Sequence, residues 1–289
     1  MSRPLTPIQM FPSGIDTIAT RLVSLPTGVR VRVAESVGSE GAPVLLLHGW
    51  GASMYSFRHA FSLLPSYGLR VIAADLRGFG LSDKPRGDAE YTLAAFLRDL
   101  ESLLDALTLP AAALVGHSMG GGVALHYALR RADRVSKLVL VNAAGLARPT
   151  LLPPMRLPPL RMIDAFGRAL VPRWLIEFIL RYVAYGDPDL VTEHDVDEYW
   201  APTQLPGYMH AARACLGEFD WHVVTEDEAA SLAVPTRVIL GTDDRLIRNA
   251  RGTAERLCGA RVTMVAGGHC VHEEHPSEVY RWIGDFLRG

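Results

Sequence analysis

The alternation of apolar and polar residues changes along the chain and predicts where strands and helices lie. Residues 21–25 and 29–33 alternate apolar and polar side chains around a Pro-Thr-Gly turn, as in an antiparallel hairpin with one solvated face. Almost wholly apolar short runs follow at residues 43–47, 69–74, 111–115 and 138–141, separated by segments of helical period or length. Apolar runs that alternate with helices predict parallel strands buried on both faces of an α/β sheet.

This pattern is interrupted between about residues 146 and 232. Residues 149–159 contain five prolines, and no strand-like apolar run appears before residue 236, which predicts a mostly helical insertion with a proline-rich entry. Strand-like runs return at residues 236–240 and 261–265, and residues 276–289 have the spacing of an amphipathic closing helix. We therefore expect a core formed by residues 1–145 and 233–289, with a helical cap at residues 146–232.

Composition narrows the classes of partner. Twenty-nine basic residues against 31 acidic ones give a formal net charge of −2, so no excess charge favours nucleic acid or an anionic membrane, and a small molecule is the expected partner. Cys215, Cys258 and Cys270 lack CxxC or disulfide-framework spacing, and the first 20 residues lack the apolar stretch of a secretory signal, so we expect a cytoplasmic protein. No His, Cys or Asp spacing predicts a metal site, and no cofactor is expected.

Ser118 lies in the segment LVGHSMGGGVAL, directly after the apolar run 111–115 and directly before a helical segment. A strand that turns straight into a helix presents the turn residue at the carboxyl edge of the sheet, where the backbone is strained and crowded. Gly116 and Gly120 remove side chains that would collide there. The helix N-terminus also offers backbone N–H groups to an oxyanion. This context predicts that Ser118 is a nucleophile rather than a helix cap.

A serine nucleophile requires a base and a group that orients the base. His269 follows the last predicted strand, on the same edge as Ser118, and is the expected base. Asp243 and Asp244 both follow the run 236–240, so one of them is expected to orient His269 while the other is solvated or caps a turn.

For the other histidines we expect roles other than that of the base. His48 opens the loop His-Gly-Trp-Gly and is expected to shape it, and the His117 side chain must leave the turn in another direction than Ser118. We expect His272 and His275 at the surface or at a helix start. Structural positions are expected for His126, His194, His210 and His222.

Together these residues resemble the α/β-hydrolase family over nearly the whole chain. Residues 48–51 look like its oxyanion loop, residues 75–82 like the segment after its next strand, and residues 116–120 like its nucleophile elbow. Gly268-His269, followed by Glu274 and Pro276, is similar to its histidine motif. The resemblance implies a mostly parallel eight-stranded sheet with a lid between the sixth and seventh strands. The spacing Gly241-x-x-Asp favours Asp244 as the acid.

The resemblance also implies a reaction class. Ser118 argues against the haloalkane dehalogenase and epoxide hydrolase branches, which use an aspartate at the elbow. We predict a serine carboxylesterase that binds the oxyanion through the backbone N–H groups of Trp50 and Met119, with His48 and Gly49 supporting the loop. The runner-up is a carbon-carbon bond hydrolase of ring-cleavage products, whose members typically carry a longer glycine-rich loop and an aromatic residue where Cys270 stands.

A cofactor-free haloperoxidase or perhydrolase activity shares the same triad, and a ligand receptor without turnover is a further alternative. The expected substrate is a largely apolar ester of small to medium size, because the cap is rich in apolar side chains. The apolar cap residues are Leu151, Leu152, Met155, Leu157, Phe166, Trp174 and Phe178.

Overall fold

The chain folds around one eight-stranded sheet. The computed structural model describes residues 3–150 and 171–289. The strands are β1 Ile18–Ser24, β2 Arg30–Ser36, β3 Ala42–Leu47, β4 Leu69–Ala74, β5 Ala112–His117, β6 Val135–Val141, β7 Thr236–Gly241 and β8 Arg261–Val265. Their order across the sheet is β1-β2-β4-β3-β5-β6-β7-β8. Strand β2 pairs antiparallel with β1 and β4, and the other neighbours are parallel. The predicted mostly parallel α/β sheet is confirmed.

Helices cover both faces of this sheet. The α-helices of the described residues are α1 Ala60–Leu63, α2 Leu93–Ala106, α3 Ser118–Arg130, α4 Arg173–Ile179, α5 Glu193–Trp200, α6 Tyr208–Glu218, α7 Glu226–Ser231, α8 Ala250–Arg256, α9 Val271–Glu274 and α10 Pro276–Arg288. Within the two described ranges, no helix is long and apolar enough to span a bilayer.

The sheet separates two layers of core. In β3, Leu45 and Leu47 pack with the apolar side chains of α2 and α3, whereas Val44 and Leu46 pack on the opposite face with α1 and α10. Successive strand residues point to opposite faces, so a strand buried on both sides is apolar at every position. This explains why the parallel strands read as continuous apolar runs in the sequence.

The segment between β6 and β7 is helical wherever it is described. Helix α4 continues as a π-helical turn over Leu180–Ala184, and α5, α6 and α7 follow, with short 3₁₀ turns at Pro188–Leu190 and Ala201–Gln204. Residues 171–232 contain no strand. The cap boundaries at residues 146 and 232 stay a prediction. The cap residues Leu151, Leu152, Met155, Leu157 and Phe166 lie outside the described residues.

Candidate active site

Ser118 occupies the turn between β5 and α3 with a left-handed backbone, at φ 51°, a conformation that side chains other than glycine adopt rarely. The turn is as crowded as the sequence predicted. A Cβ on Gly120 would lie 2.2 Å from the Leu47 carbonyl oxygen, and one on Gly116 would lie 2.5 Å from the Gly120 carbonyl oxygen. Because both obstacles are backbone atoms, glycine is required on each side of the turn.

The loop after β3 lies against this turn. A Cβ on Gly49 would be 2.9 Å from the Ser118 Cβ. The fully buried His48 ring fixes the loop: its Nε2 accepts the Leu76 backbone N–H at 2.9 Å, so its Nδ1 carries the proton and donates to the Gly49 carbonyl at 2.8 Å. Burial lowers the pKa of His48, which favours this neutral form. His48 therefore shapes the loop.

Two backbone donors beside Ser118 are available to a ligand. Within residues 3–150 and 171–289, no protein acceptor bonds the backbone N–H of Trp50 or of Met119. Met119 stands in the first turn of α3, where backbone N–H groups have no partner inside the helix. The Trp50 indole donates to the Ala212 carbonyl in α6 at 2.9 Å, which joins this loop to the segment between β6 and β7.

His269 and Asp244 form a direct pair at the ends of the last two strands. His269 Nδ1 lies 2.9 Å from Asp244 Oδ2, and both side chains are buried. The other oxygen, Asp244 Oδ1, accepts the backbone N–H groups of Leu246 at 2.7 Å and Ile247 at 3.0 Å. Asp243, by contrast, is exposed, and its carboxylate accepts the Thr242 hydroxyl at 2.8 Å. Of the two adjacent carboxylates, Asp244 is the one that contacts His269.

The environment of Asp244 keeps it ionised. Burial alone would raise the pKa of this carboxyl, but His269 and the two backbone donors outweigh burial and hold the pKa below its ordinary value. An ionised acceptor at Oδ2 requires a proton on His269 Nδ1, which leaves Nε2 with a free lone pair.

Asn142 is a site residue that the sequence reasoning did not identify. It follows β6 with φ 42°, and its side-chain amide donates to the carbonyl oxygens of Gly268 at 3.0 Å and His269 at 2.9 Å. Its oxygen accepts the Gly241 backbone N–H at 2.9 Å. Asn142 therefore joins the loop of the acid to the loop of the base. Its position directly after a buried strand, on the same edge as Ser118, was the signal available in the sequence.

Backbone groups of the segment between β6 and β7 also hold the histidine loop. The His269 N–H donates to the Ala184 carbonyl at 2.7 Å. Glu274 accepts the Gly268 N–H through Oε1 and the Gly186 N–H through Oε2, each at 2.8 Å. Burial raises the pKa of Glu274, although these donors oppose the rise. The histidine loop is thus anchored to the segment that follows α4.

His117 and His272 pack behind the base. The His117 ring centroid lies 4.7 Å from that of His269 and 4.4 Å from that of His272, and His117 Nε2 bonds the His269 carbonyl at 2.9 Å. Burial lowers the pKa of His117 to about 3 and that of His272 well below its ordinary value, so both rings stay neutral. His272 lies at a helix start, one of the two places expected for it, and α9 turns its ring into the core beside Phe57 rather than to the surface.

Comparison with known proteins agrees with this geometry. A family model described as the alpha/beta hydrolase fold matches residues 42–191. The chain is 30% identical to 2-hydroxymuconate semialdehyde hydrolase of Pseudomonas sp. (strain CF600), over 91% of this chain and 92% of that protein. It is 29% identical to epoxide hydrolase 2 of Siraitia grosvenorii, over 90% of this chain and 96% of that protein.

A solved structure shares the architecture. The fold superposes on the meta-cleavage product hydrolase CumD of Pseudomonas fluorescens IP01 with a TM-score of 0.78 at 24% identity, covering 92% of this chain and 97% of that one. The sheet order, the strained turn at Ser118 and the matched family model lead to the same assignment: the chain belongs to the α/β-hydrolase family.

Proposed function

We propose that the protein is a serine carboxylesterase in which Ser118 is the nucleophile, His269 the base and Asp244 the orienting acid. The proposal rests on two features that occur together: a serine with a left-handed backbone at the strand-to-helix turn, and a buried hydrogen bond between His269 and Asp244. A serine hydroxyl is a weak nucleophile without such a base. Family membership supports hydrolysis as the reaction class.

The reaction would proceed in two halves. Ser118 Oγ attacks the ester carbonyl carbon while His269 Nε2 takes its proton, and the carbonyl oxygen becomes an oxyanion. The imidazolium then returns the proton to the leaving alcohol, and the carbon-oxygen bond breaks to give an acyl-enzyme. In the second half, His269 takes a proton from water, the resulting hydroxide adds to the acyl carbon, and the proton returns to Ser118 as the acid leaves.

The available donors fit the charge that develops. The N–H groups of Trp50 and Met119 lie on the loop and helix that flank Ser118, and an oxyanion between them would accept both bonds. A donor of this kind contributes roughly 3 kcal/mol to the transition state. Asp244 stabilises the imidazolium and fixes its tautomer, since Oδ1 is already engaged by backbone donors and Oδ2 faces His269.

A second candidate is cleavage of a carbon-carbon bond in a ring-cleavage product. The similarity to 2-hydroxymuconate semialdehyde hydrolase favours it. The likeness to epoxide hydrolase 2 carries less weight, because an elbow that holds Ser118 lacks the carboxylate that would be alkylated. Ester and carbon-carbon cleavage would use the same Ser118, so substrate tests rather than labelling of Ser118 separate them.

The test combines labelling with a substrate panel. A serine-directed phosphonate is expected to add to Ser118, as mapped by peptide mass spectrometry, and p-nitrophenyl esters are expected to be hydrolysed with kcat/KM far above that for a ring-cleavage dienoate. Ser118→Ala should abolish labelling and remove more than nine tenths of the activity, whereas the exposed Ser62→Ala should change neither. Faster turnover of the dienoate than of any ester would reverse the order of the two candidates, and labelling elsewhere would refute the proposed nucleophile.

A further inference from the structure

A second cluster of chemically active side chains lies away from Ser118. His126 of α3, His222 of the loop before α7, and Glu228 of α7 each place one potential ligand atom within 4.8 Å of the other two. We call these three residues the His126 cluster. No spacing in the sequence indicates it, because its members come from three separate segments. His126 follows Ser118 by eight residues, which is about 12 Å along the helix axis.

His126 is the unusual member. Its side chain is 1% exposed, and neither ring nitrogen has a hydrogen-bond partner among the described residues. A buried polar group without a partner costs free energy, so such groups in native proteins usually bind something. The ring packs against His222, with centroids 4.5 Å apart. Two imidazoles are in contact, and three of their four ring nitrogens, both of His126 and Nδ1 of His222, have no hydrogen-bond partner among the described residues. This indicates a ligand that accepts electron pairs from nitrogen.

His222 lies between two carboxylates, although its Nδ1 forms no hydrogen bond among the described residues. Its Nδ1 lies 3.0 Å from Asp220 Oδ2, and its Nε2 lies 3.7 Å from Glu228 Oε2. Metal-bound histidines usually turn one nitrogen to the ion and the other N–H to a carboxylate, which fixes the tautomer and raises the basicity of the ligand. Rotation of the partly exposed His222 ring would give Asp220 the role of that carboxylate, and Glu228 lies on the side where the ion would bind.

The backbone around His222 and Glu228 is fixed by contacts outside the cluster. The Val224 N–H donates to the Gly145 carbonyl at 2.9 Å, and the buried Trp221 packs on Phe219 with ring centroids 4.6 Å apart. Glu228 Oε2 accepts the Thr225 backbone N–H at 2.8 Å in the capping box of α7. The cluster is thus held in place by the fold.

We propose that the His126 cluster binds one Zn²⁺ ion, with His126, His222 and Glu228 as protein ligands. Two imidazoles and one carboxylate suit Zn²⁺, whereas Ca²⁺ and Mg²⁺ prefer oxygen ligands alone. Tetrahedral ligands at about 2.0–2.1 Å from Zn²⁺ are about 3.3 Å apart, so the cluster must contract. His222 and Glu228 are partly exposed and can move toward the fixed His126.

The charges near the cluster favour a cation. Glu228 and Asp220 bring two negative charges, while one guanidinium, Arg130, opposes them from the next turn of α3, where it donates to the His126 carbonyl at 2.8 Å. The ion would join the helix that begins at Ser118 to the segment through which the chain returns from the cap to the core. It would therefore stabilise the fold at the junction with the cap, with no part in the reaction at Ser118.

The experiment titrates ZnCl₂ into the full chain, without a histidine tag and freed of metal by chelation, using calorimetry and thermal unfolding. One ion per chain is expected to bind, and Zn²⁺ at about 100 times its Kd should raise Tm by about 4 °C. Co²⁺ at the same site should give the visible absorption of a tetrahedral complex with nitrogen and oxygen ligands. The chain tested this way needs no substrate, so the result is independent of the proposed esterase activity.

Two variants test the ligands. His222→Ala is expected to weaken Zn²⁺ binding by at least about 100-fold, and Glu228→Gln, which keeps an oxygen for the capping box, by at least about tenfold. His194→Ala is the control, because His194 faces a single carboxylate, Glu198, at 3.9 Å, and binding should be unchanged. Absence of Zn²⁺ binding by the unaltered chain would overturn the proposal. So would Zn²⁺ binding by His222→Ala and Glu228→Gln as tight as that of the unaltered chain, or a loss of binding in His194→Ala as large as that in His222→Ala.

Discussion

Replacing Asp244 by Asn is the sharpest test of the proposed triad, because the surrounding hydrogen bonds fix the orientation of the new amide group. Asp244 Oδ1 accepts the N–H groups of Leu246 and Ile247, and Oδ2 faces His269. An amide oxygen can replace only the oxygen bound to two donors, so the NH₂ group of Asn must take the other position. It would then donate to His269 Nδ1.

This donation reverses the tautomer of the base. With Nδ1 accepting, the neutral imidazole carries its proton on Nε2, where it cannot accept the proton of Ser118. The same exchange in a well-studied serine triad lowers kcat by about 10⁴-fold, which corresponds to about 5.4 kcal/mol in the activation free energy. The change is nearly isosteric and the two backbone bonds persist, so the free energy of unfolding should change much less than the rate.

The assay measures kcat and KM for a p-nitrophenyl ester with purified Asp244→Asn and Asp243→Asn, with intact fold checked by circular dichroism. Asp243→Asn is the matched control, since the Asp243 side chain is exposed and its carboxylate bonds the Thr242 hydroxyl rather than His269. It should lower kcat by less than about tenfold. A large loss of kcat in Asp243→Asn, with a nearly normal kcat in Asp244→Asn, would refute the assignment of Asp244 as the orienting acid. Mild effects in both variants would show that His269 is oriented by another group.

Three further predictions concern stability and positioning. Gly120→Ala should lower the free energy of unfolding by at least about 1 kcal/mol, because its Cβ would meet the Leu47 carbonyl at 2.2 Å, as measured by urea unfolding. Asn142→Ala should lower both kcat and stability, the latter by about 2 kcal/mol. It removes three hydrogen bonds and leaves the Gly268 carbonyl and the Gly241 N–H without their side-chain partner, while His117 still bonds the His269 carbonyl. His117 should make the free energy of unfolding fall by about 1.4 kcal/mol between pH 7.5 and pH 5.5. The reason is that its pKa of about 3 in the folded state lies below the unfolded value near 6.5, so only the unfolded state gains a proton in this pH range.

Each of these three has a control and a contrary result. Gly217→Ala changes a helical glycine with no atom within 4 Å of the new Cβ, so it should be neutral or stabilising; equal effects at Gly120 and Gly217 would contradict the steric argument. A variant Asn142→Ala with normal kcat would remove Asn142 from the positioning of His269. If His117→Gln leaves the pH dependence of unfolding unchanged, the titration belongs to other groups.

The sequence by itself determined the elements and the order of the chemistry along the chain. The apolar runs located β3 to β7 closely because a strand buried on both faces must be apolar at nearly each position, a requirement visible in any short window of sequence. The alternation of apolar and polar residues located the hairpin of β1 and β2. Gly116 and Gly120 around Ser118 indicated the strained strand-to-helix turn, because that turn brings backbone close to both positions. At Gly116 the crowding atoms are neighbours in sequence, whereas at Gly120 the crowding atom is the Leu47 carbonyl oxygen of β3. The resemblance then favoured Asp244 over Asp243, and in the structure Asp244 is the carboxylate that forms the hydrogen bond with His269.

Contacts between distant segments were decided only by the tertiary structure. Asn142 lies 127 residues from His269 and bonds its carbonyl because β6, β7 and β8 are successive neighbours in the sheet, so that the loops after them meet at one edge. In the sequence His272 is a polar residue at a helix start, yet α9 turns it into the core. His126 contacts His222 only because the segment between α6 and α7 runs beside α3. Periodicity records which face of its own element a side chain occupies, whereas its partner depends on strand order and on the path of the connecting segments, which no local pattern encodes.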